Sequence, residues 1–410
     1  MSDDIKSVVI VGGGLAGAKT AEGLRAEGYR GAIAIIGAEK ELPYERPPLS
    51  KGYLQGNDSF DDAVVHPQDW YGENDVDLVL GVRAIDIDPK NRTVALGDGS
   101  SREYDRLVLA TGSTPRRLTI DGADADNVLY LREHADSDAI RETFGEGKRL
   151  VVIGAGWIGL EVAAAARQAG TEVAVLETAE LPLLGVLGRT IASLFADLHR
   201  EHGVKFTFGA EVERVDVRDD RASAVVLKDG TRLDADAVVV GIGALPNVEL
   251  ARAAGLEVEN GVLVDASLRS SVPEVFAVGD IAQHDHPVLG RRVRVEHWAA
   301  ALNQPATVAK VIAGTDAVYE DLPYFFSDQY DLGMEYIGLA DPESRVVVRG
   351  DLAGREFIAF WLDESDAITA AMNVNVWDVL DDIKPLLKSR TAVDTDKLAD
   401  PDVPFDAVAR

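Results

Sequence analysis

The feature that most restricts what this chain can become is a glycine turn that occurs twice. Residues 150–177, LVVIGAGWIGLEVAAAARQAGTEVAVLE, begin with a short apolar run followed by Gly154, Gly156 and Gly159. An alanine-rich stretch of helical character follows, then a break at Gly170 and a second apolar run that ends in Glu177. Strand, glycine turn, helix, strand and terminal acid are the parts of a dinucleotide-binding unit. Gly154 permits the tight turn, Gly156 lets the backbone approach a pyrophosphate, and Gly159 brings the helix close to the strand. Trp157 and Ile158 stand at the helix start, where free N–H groups and the positive dipole end would meet phosphate. Glu177 lies 18 residues past the last glycine, placed to accept from adenosine ribose hydroxyls.

The chain opens on the same pattern. VVIVGGGLAGAKTAEGLRAEGYRGAIAIIGAE carries Gly12, Gly14 and Gly17, which the later glycines repeat 142 residues on, with Leu15 and Ala16 at the helix start. Here the terminal acid is displaced: Gly37 and Ala38 take the strand end and Glu39 follows as the candidate for a ribose contact. The duplication extends further. LVLATGSTPR places Ala110, Thr111 and Gly112 at the end of a buried strand, and VVVGIGALPN does the same with Gly241 and Gly243. An internal repeat of this kind predicts an α/β fold with two Rossmann-like dinucleotide-binding domains.

Composition narrows the chemistry. The 410 residues suffice for two or three domains, and 46% hydrophobic with 27% charged residues is ordinary for a globular protein. No apolar run approaches the ~20 residues needed to span a bilayer. The first residues enter a strand almost at once, with neither a basic leader nor a cleavage site, so a cytoplasmic location is expected. There is no cysteine, which excludes structural disulfides, thiolate metal sites and every mechanism built on a redox-active dithiol. His284 and His286 have no third ligand in view, so no metal is expected and the pair reads as part of a solvated loop. A formal charge of −29 disfavours nucleic acid and anionic membrane as partners.

Three further stretches carry chemistry. In LPYERPPLSKGYL (residues 42–54), Pro47 and Pro48 forbid regular structure and fix a stiff corner after Arg46, which presents Ser50 and Lys51. VPEVFAVGDIA (residues 272–282) is a strand ending in Gly279 and Asp280. GRRVRVEHWAAALNQ (residues 290–304) alternates before turning helical, with Arg292 and Arg294 on one side, Val293 and Val295 on the other, and Glu296, His297 and Trp298 at the junction.

The phrase PYERPPLSKGYL, set between the first glycine turn and ATG and joined by FAVGD and EHW, resembles the FAD-dependent NADH:ferredoxin reductases of bacterial oxygenase systems over nearly the whole chain. The resemblance implies FAD on the first glycine unit, in contact with Arg46, Pro47, Lys51, the ATG turn, Gly279, Asp280, Glu296, His297 and Trp298. Val82 and Arg132 would line its adenine and pyrophosphate, and Trp298 would lie near the flavin and nicotinamide rings. NADH would bind the second unit, closed by Gly241 and Gly243. Glu161, which follows the second glycine turn, would pair with Lys51 beside the flavin ring, so Lys51, Glu161 and Trp298 are the expected catalytic residues. Hydride would pass from NADH to FAD, and single electrons on to a [2Fe–2S] ferredoxin serving a cytochrome P450 or a Rieske dioxygenase. Two other readings remain open: a reductase of a small acceptor such as a quinone or monodehydroascorbate, and a slow redox scaffold like apoptosis-inducing factor.

The expected domains are residues 1–116 with 247–321 for FAD, 117–246 for NAD, and 322–410 as a separate C-terminal α+β domain. In the last, Phe326 stands where the family commonly has tryptophan, AMNVNVWDVLDDIKPLL gives the final helix, and the tail after Arg390 is loosely packed. Ferredoxins are usually acidic, as this chain is, so docking calls for a local basic face, with Arg291, Arg292, Arg294, Arg116 and Arg117 as candidates.

Overall fold

The structure, a computed structural model, describes residues 5–341 and 343–410. The chain forms two compact units, each built from separate stretches of sequence.

The first unit comprises Met1–Arg46, Phe60–Thr114 and Ala244–Pro323. Its centre is a parallel sheet in the order Val275–Ala277, Arg106–Leu109, Ser7–Val11, Ala32–Ile36, Val76–Val79. The strands are nearly continuous apolar runs, as expected of a parallel sheet covered on both faces. Helix Leu15–Ala26 carries the chain from the first central strand to its neighbour and packs on helix Trp298–Ile312, where a Cβ added at Gly23 would sit 3.0 Å from the Ala309 methyl. Residues 86–96 are divided by a turn. Ala84–Asp88 and Thr93–Leu96 form a hairpin, because Asp88 accepts from the backbone N–H groups of Lys90 and Asn91 and ends the first strand. His284 and His286 are not in a solvated loop. Both are 2% exposed on strand Ala282–His286, where His286 Nε2 bonds the Asp321 carbonyl.

The second unit comprises Pro47–Ser59, Pro115–Gly243 and Tyr324–Arg410. Its parallel sheet runs Lys205–Phe208, Glu172–Glu177, Arg149–Ile153, Ala237–Val240, Val128–Leu129, the counterpart of the first. Helices Trp157–Gln168 and Leu184–Glu201 cover it, the latter broken at Gly188. An antiparallel five-stranded sheet follows, in the order Tyr324–Gln329, Leu332–Gly338, Ile368–Val374, Glu356–Leu362, Arg345–Asp351. This C-terminal sheet does not keep a core of its own. Phe357, Trp361 and Met372 pack in one cluster with Leu187, Ile191 and Phe195, and the Trp361 indole N–H donates to the Leu187 carbonyl.

Two expectations for the C-terminal region fail. Ala371–Val374 belongs to a strand, so the predicted helix is confined to Leu380–Ser389; the alternating residues pair across the sheet and positive φ at Asn375 and Asp378 delays the helix. The tail is not loose. The Arg349 guanidinium donates to the carbonyls of Leu398, Asp400, Pro401 and Val403, and Leu398 and Val408 are fully buried. Sequence pattern cannot reveal such a clamp, since one arginine on a distant strand supplies all the donors.

Burial pushes His199 in the second unit and His284 in the first down to about 4 from 6.5. Between those values the unfolded chain binds more protons than the folded one, so stability falls as pH drops from about 6.5 toward 4. The loss is on the order of 1 kcal/mol per histidine per pH unit. Denaturant midpoints should therefore be lower at pH 5 than at pH 7.5, and less so in His284→Leu; equal midpoints for the parent at both pH values contradict this.

Candidate functional site

The first glycine turn is fixed by its own backbone. A Cβ at Gly12 would lie 2.0 Å from the Ala110 carbonyl oxygen, and one at Gly17 would lie 2.0 Å from the Gly12 carbonyl oxygen. Gly12 also has φ +134°, where a side chain is strained. A Cβ at Gly14, by contrast, would meet nothing within 4 Å. Gly14 caps helix Leu15–Ala26, which has no side-chain cap, and Leu15 and Ala16 are buried beneath the turn. The protein therefore uses two glycines for its own packing and leaves the third facing open space at a helix N-terminus, the place for a phosphate.

The second turn repeats this arrangement. A Cβ at Gly154 would meet the Gly241 carbonyl oxygen at 2.4 Å, one at Gly159 the Gly154 carbonyl oxygen at 2.2 Å, and one at Gly156 nothing within 4 Å. Gly156 caps helix Trp157–Gln168, again without a side-chain cap. The two residues after it diverge in role. Trp157 packs edge-on against Phe195 and Phe325, whereas Ile158 is 45% exposed. Glu177 reaches back to its own turn: Oε2 accepts from the Ala155 N–H at 2.7 Å, and Oε1 from the Ala179 N–H at 2.9 Å and the Thr178 hydroxyl. Gly243, at φ +99°, lies beside Arg116.

Around the first turn, Glu39 accepts from Arg46 Nη2 at 2.6 Å and from the Tyr44 hydroxyl, so the displaced acid is held by the start of the proline corner. Val82 follows, its N–H on the Gly37 carbonyl. Gly112 has φ +64°, and Asn247 ties the ATG turn down: its amide donates to the Thr111 carbonyl at 2.8 Å and its carbonyl accepts the Thr111 hydroxyl at 2.7 Å. Asp280 accepts the Ser113 hydroxyl at 2.6 Å, and the neighbouring Gly279 N–H donates to Gln304 at 2.7 Å. The sequence reading missed Ser113, Asn247 and Gln304. Ser113 and Asn247 meet partners 167 and 136 residues away and Gln304 one 25 residues away, and none stands in a recognisable spacing.

Trp298 opens helix Trp298–Ile312, and its indole N–H donates to Glu45 at 2.8 Å. Burial pushes its neighbour His297 down to about 4. Glu296 is exposed and pairs with Arg294.

In the second unit, Pro47–Ser50 form a short 3₁₀ turn that delivers Lys51. Lys51 Nζ lies 2.6 Å from Glu161 Oε1, which places the expected pair together, and Glu161 is only 3% exposed. Its carboxylate also accepts the hydroxyls of Ser50 and Ser327, while Lys51 stands 5.3 Å over the Phe326 ring. Burial raises the Asp328 carboxyl above its ordinary value, with Lys51 opposing and Glu161 adding to the shift. A buried charge is tolerated when it is paired and hydrogen-bonded, and here three donors meet one carboxylate. The sequence pointed to Lys51 and Glu161 but not to Ser327, 166 residues beyond Glu161.

Arg132 lies in the second unit, its N–H on Asp136. Of the proposed docking arginines, Arg116 and Arg117 are exposed on the second unit, and Arg117 covers the Tyr130 ring. Arg291 and Arg292 are exposed on the first unit, with Arg292 paired to Asp285. Arg294 departs from the expected alternation. Its side chain is 12% exposed and turns inward to the Asp280 carbonyl and Glu296, because the strand ends at Val293.

No helix among the described residues is long and apolar enough to cross a membrane. Residues 6–304 match the family described as pyridine nucleotide-disulphide oxidoreductase, and residues 324–409 match the one described as reductase C-terminal. The chain is 40% identical over 404 residues to putidaredoxin reductase of Pseudomonas putida, covering 97% of this chain and 96% of that protein. It is 43% identical over 397 residues to the ferredoxin–NAD(+) reductase component of the anthranilate 1,2-dioxygenase system of Burkholderia cepacia, covering 96% and 97%. The solved covalent complex of putidaredoxin reductase with putidaredoxin superposes with a TM-score of 0.94 at 39% identity, covering 98% of this chain and 97% of that one. With its two glycine cradles and its C-terminal sheet, the chain belongs to the pyridine nucleotide-disulphide oxidoreductase family, in the branch that carries the reductase C-terminal domain.

Proposed function

We propose that this chain is an FAD-containing reductase that takes hydride from NADH and passes single electrons to a [2Fe–2S] ferredoxin of an oxygenase system. The observation that carries the reading is the pair of matching cradles, each with one glycine left open at an uncapped helix N-terminus, in a chain with no cysteine. Two dinucleotides fit two such cradles, and without cysteine the chain has no disulfide of its own to carry electrons, as the family's name would suggest. Bound FAD supplies the exchange between a two-electron hydride donor and a one-electron acceptor.

The residues divide as follows. Gly12, Gly14 and Gly17, with the Thr111 turn and Asp280, hold FAD in the first unit. Gly154, Gly156, Gly159 and Glu177 hold NADH in the second. Lys51, fixed by Glu161, is the cation this reading assigns to the electron-transfer step, and Trp298 the aromatic residue. The direct test is stopped-flow reduction of the purified flavoprotein by NADH, followed by mixing with a [2Fe–2S] ferredoxin. Rapid flavin bleaching and rapid ferredoxin reduction are expected; protein that stays colourless after incubation with FAD would falsify the reading.

Cofactor choice follows from Glu177. A 2′-phosphate beside this carboxylate would meet like charge, worth ~4 kcal/mol per unit charge at ~4 Å and an effective dielectric of ~20, roughly a thousandfold in affinity before screening. The adjacent Thr178 and Ala179 contribute no compensating cation. NADH should be strongly preferred over NADPH, and Glu177→Arg should narrow or reverse the preference. Equal kcat/KM for the two cofactors in the parent defeats the argument.

An acidic ferredoxin needs a basic contact on a chain of net charge −29. Arg291 and Arg292 on the first unit, and Arg116 and Arg117 on the second, are the exposed candidates; Arg294 is engaged internally. Reversing the charge at Arg291 and Arg292 should slow ferredoxin reduction and flatten its salt dependence, with flavin reduction by NADH unaffected. An unchanged salt dependence removes these two arginines from the docking surface.

A further inference from the structure

Behind Glu161 runs a line of polar side chains that the reaction as described does not use. Ser327 Oγ lies 2.6 Å from Glu161 Oε1, and Gln329 Nε2 lies 3.1 Å from Ser327 Oγ. His199 Nε2 lies 2.8 Å from Gln329 Oε1, and the Tyr330 hydroxyl lies 3.3 Å from His199 Nδ1. Ser327, Gln329 and His199 are each no more than 1% exposed. Ser327 and Gln329 alternate on strand Tyr324–Gln329 and therefore share a face, while His199 comes from helix Leu184–Glu201. All of these residues belong to the second unit.

The direction of every bond in the line follows from its first member. A carboxylate paired with Lys51 only accepts, so the Ser327 O–H must point at Glu161. Ser327 Oγ is then left as an acceptor, which turns the Gln329 NH₂ toward it and the Gln329 carbonyl toward His199. That carbonyl requires a proton on His199 Nε2, and the neutral ring then offers Nδ1 to the Tyr330 hydroxyl. Burial pushes His199 down to about 4, which agrees with a neutral ring. All four donors point toward Glu161. An amide in the middle does not hand a proton on, so the line holds rather than conducts.

Buried polar chains are costly when partly satisfied, and an apolar cluster of the same shape would pack as well. What this line achieves is positional. Ser50 and Ser327 each donate to the carboxylate; Ser50 Oγ also lies 3.4 Å from the Pro47 carbonyl, whereas Ser327 is backed by the buried Gln329 side chain. We propose that Ser327, Gln329 and His199 are positioning residues that fix the Glu161 carboxylate in one orientation and thereby set where the Lys51 ammonium stands. The proposal rests on the reading that the Lys51–Glu161 pair serves the electron-transfer step of an FAD reductase.

The test uses the full-length flavoprotein as purified, with Gln329→Met, Ser327→Ala and Ser327→Thr. Two quantities are measured: acylation of Lys51 by N-hydroxysuccinimidyl acetate, followed by peptide mass spectrometry, and kcat and KM for NADH with a [2Fe–2S] ferredoxin. Lys51 must leave Glu161 to react. Labelling should rise about fivefold in Gln329→Met and Ser327→Ala, the equivalent of one net hydrogen bond. Turnover should fall by a similar factor with KM for NADH little changed, and Ser327→Thr, which keeps the hydroxyl, should restore both. If Gln329→Met does not fold, the milder Ser327→Ala and Ser327→Thr decide the matter. Parental labelling in folded Ser327→Ala, or a Ser327→Thr variant that behaves like Ser327→Ala, overturns the proposal. A parent that binds no flavin or reduces no ferredoxin refutes the functional reading instead, and the labelling arm still decides the positioning.

Discussion

The structure depends on a backbone atom being allowed to come closer than a side chain would permit. In each unit the first glycine of the turn lies against a carbonyl at the end of the neighbouring strand, Ala110 in one and Gly241 in the other, and the third lies against the carbonyl of the first. These contacts pull strand, turn and helix together and fix where the helix begins. Because the backbone itself is the packing surface, the second glycine stays clear and the helix N-terminus carries no side-chain cap. The binding place is thus a consequence of close packing around it.

A second constraint is the placement of charge. The second unit buries a carboxylate and surrounds it with an ammonium and two hydroxyls, one of them backed by a further line of hydrogen bonds. Such an arrangement is difficult to keep in a protein interior unless every member is satisfied, and here each donor has an acceptor. In a chain with no cysteine, this pair and the two cradles are where its redox function is to be sought.

Much of this was legible in the sequence, for a physical reason. Glycine spacing, the acid after the second strand and the rigid corner of Pro47 and Pro48 all act within about thirty residues or fewer, so the local chain carries their meaning. The Lys51–Glu161 pair was within reach only through family resemblance, since 110 residues separate the partners. Ser327, Gln329 and His199 gave no signal. Serine and glutamine in a strand and histidine in a helix look like ordinary surface residues until the fold brings them behind one carboxylate. Alternation misled at Arg294, which lies beyond the last strand residue and turns inward.

The sequence by itself determined that two dinucleotide cradles exist and that no thiol chemistry can link them, because both facts depend on residue type and short-range spacing. Tertiary structure alone decided that the C-terminal sheet shares a core with the second cradle's helices, that Arg349 gathers the tail, and that Glu177 is held by its own turn. Those outcomes depend on which distant atoms meet. Hydrogen bonds and packing act over a few ångströms of space, however many residues of chain lie between the partners.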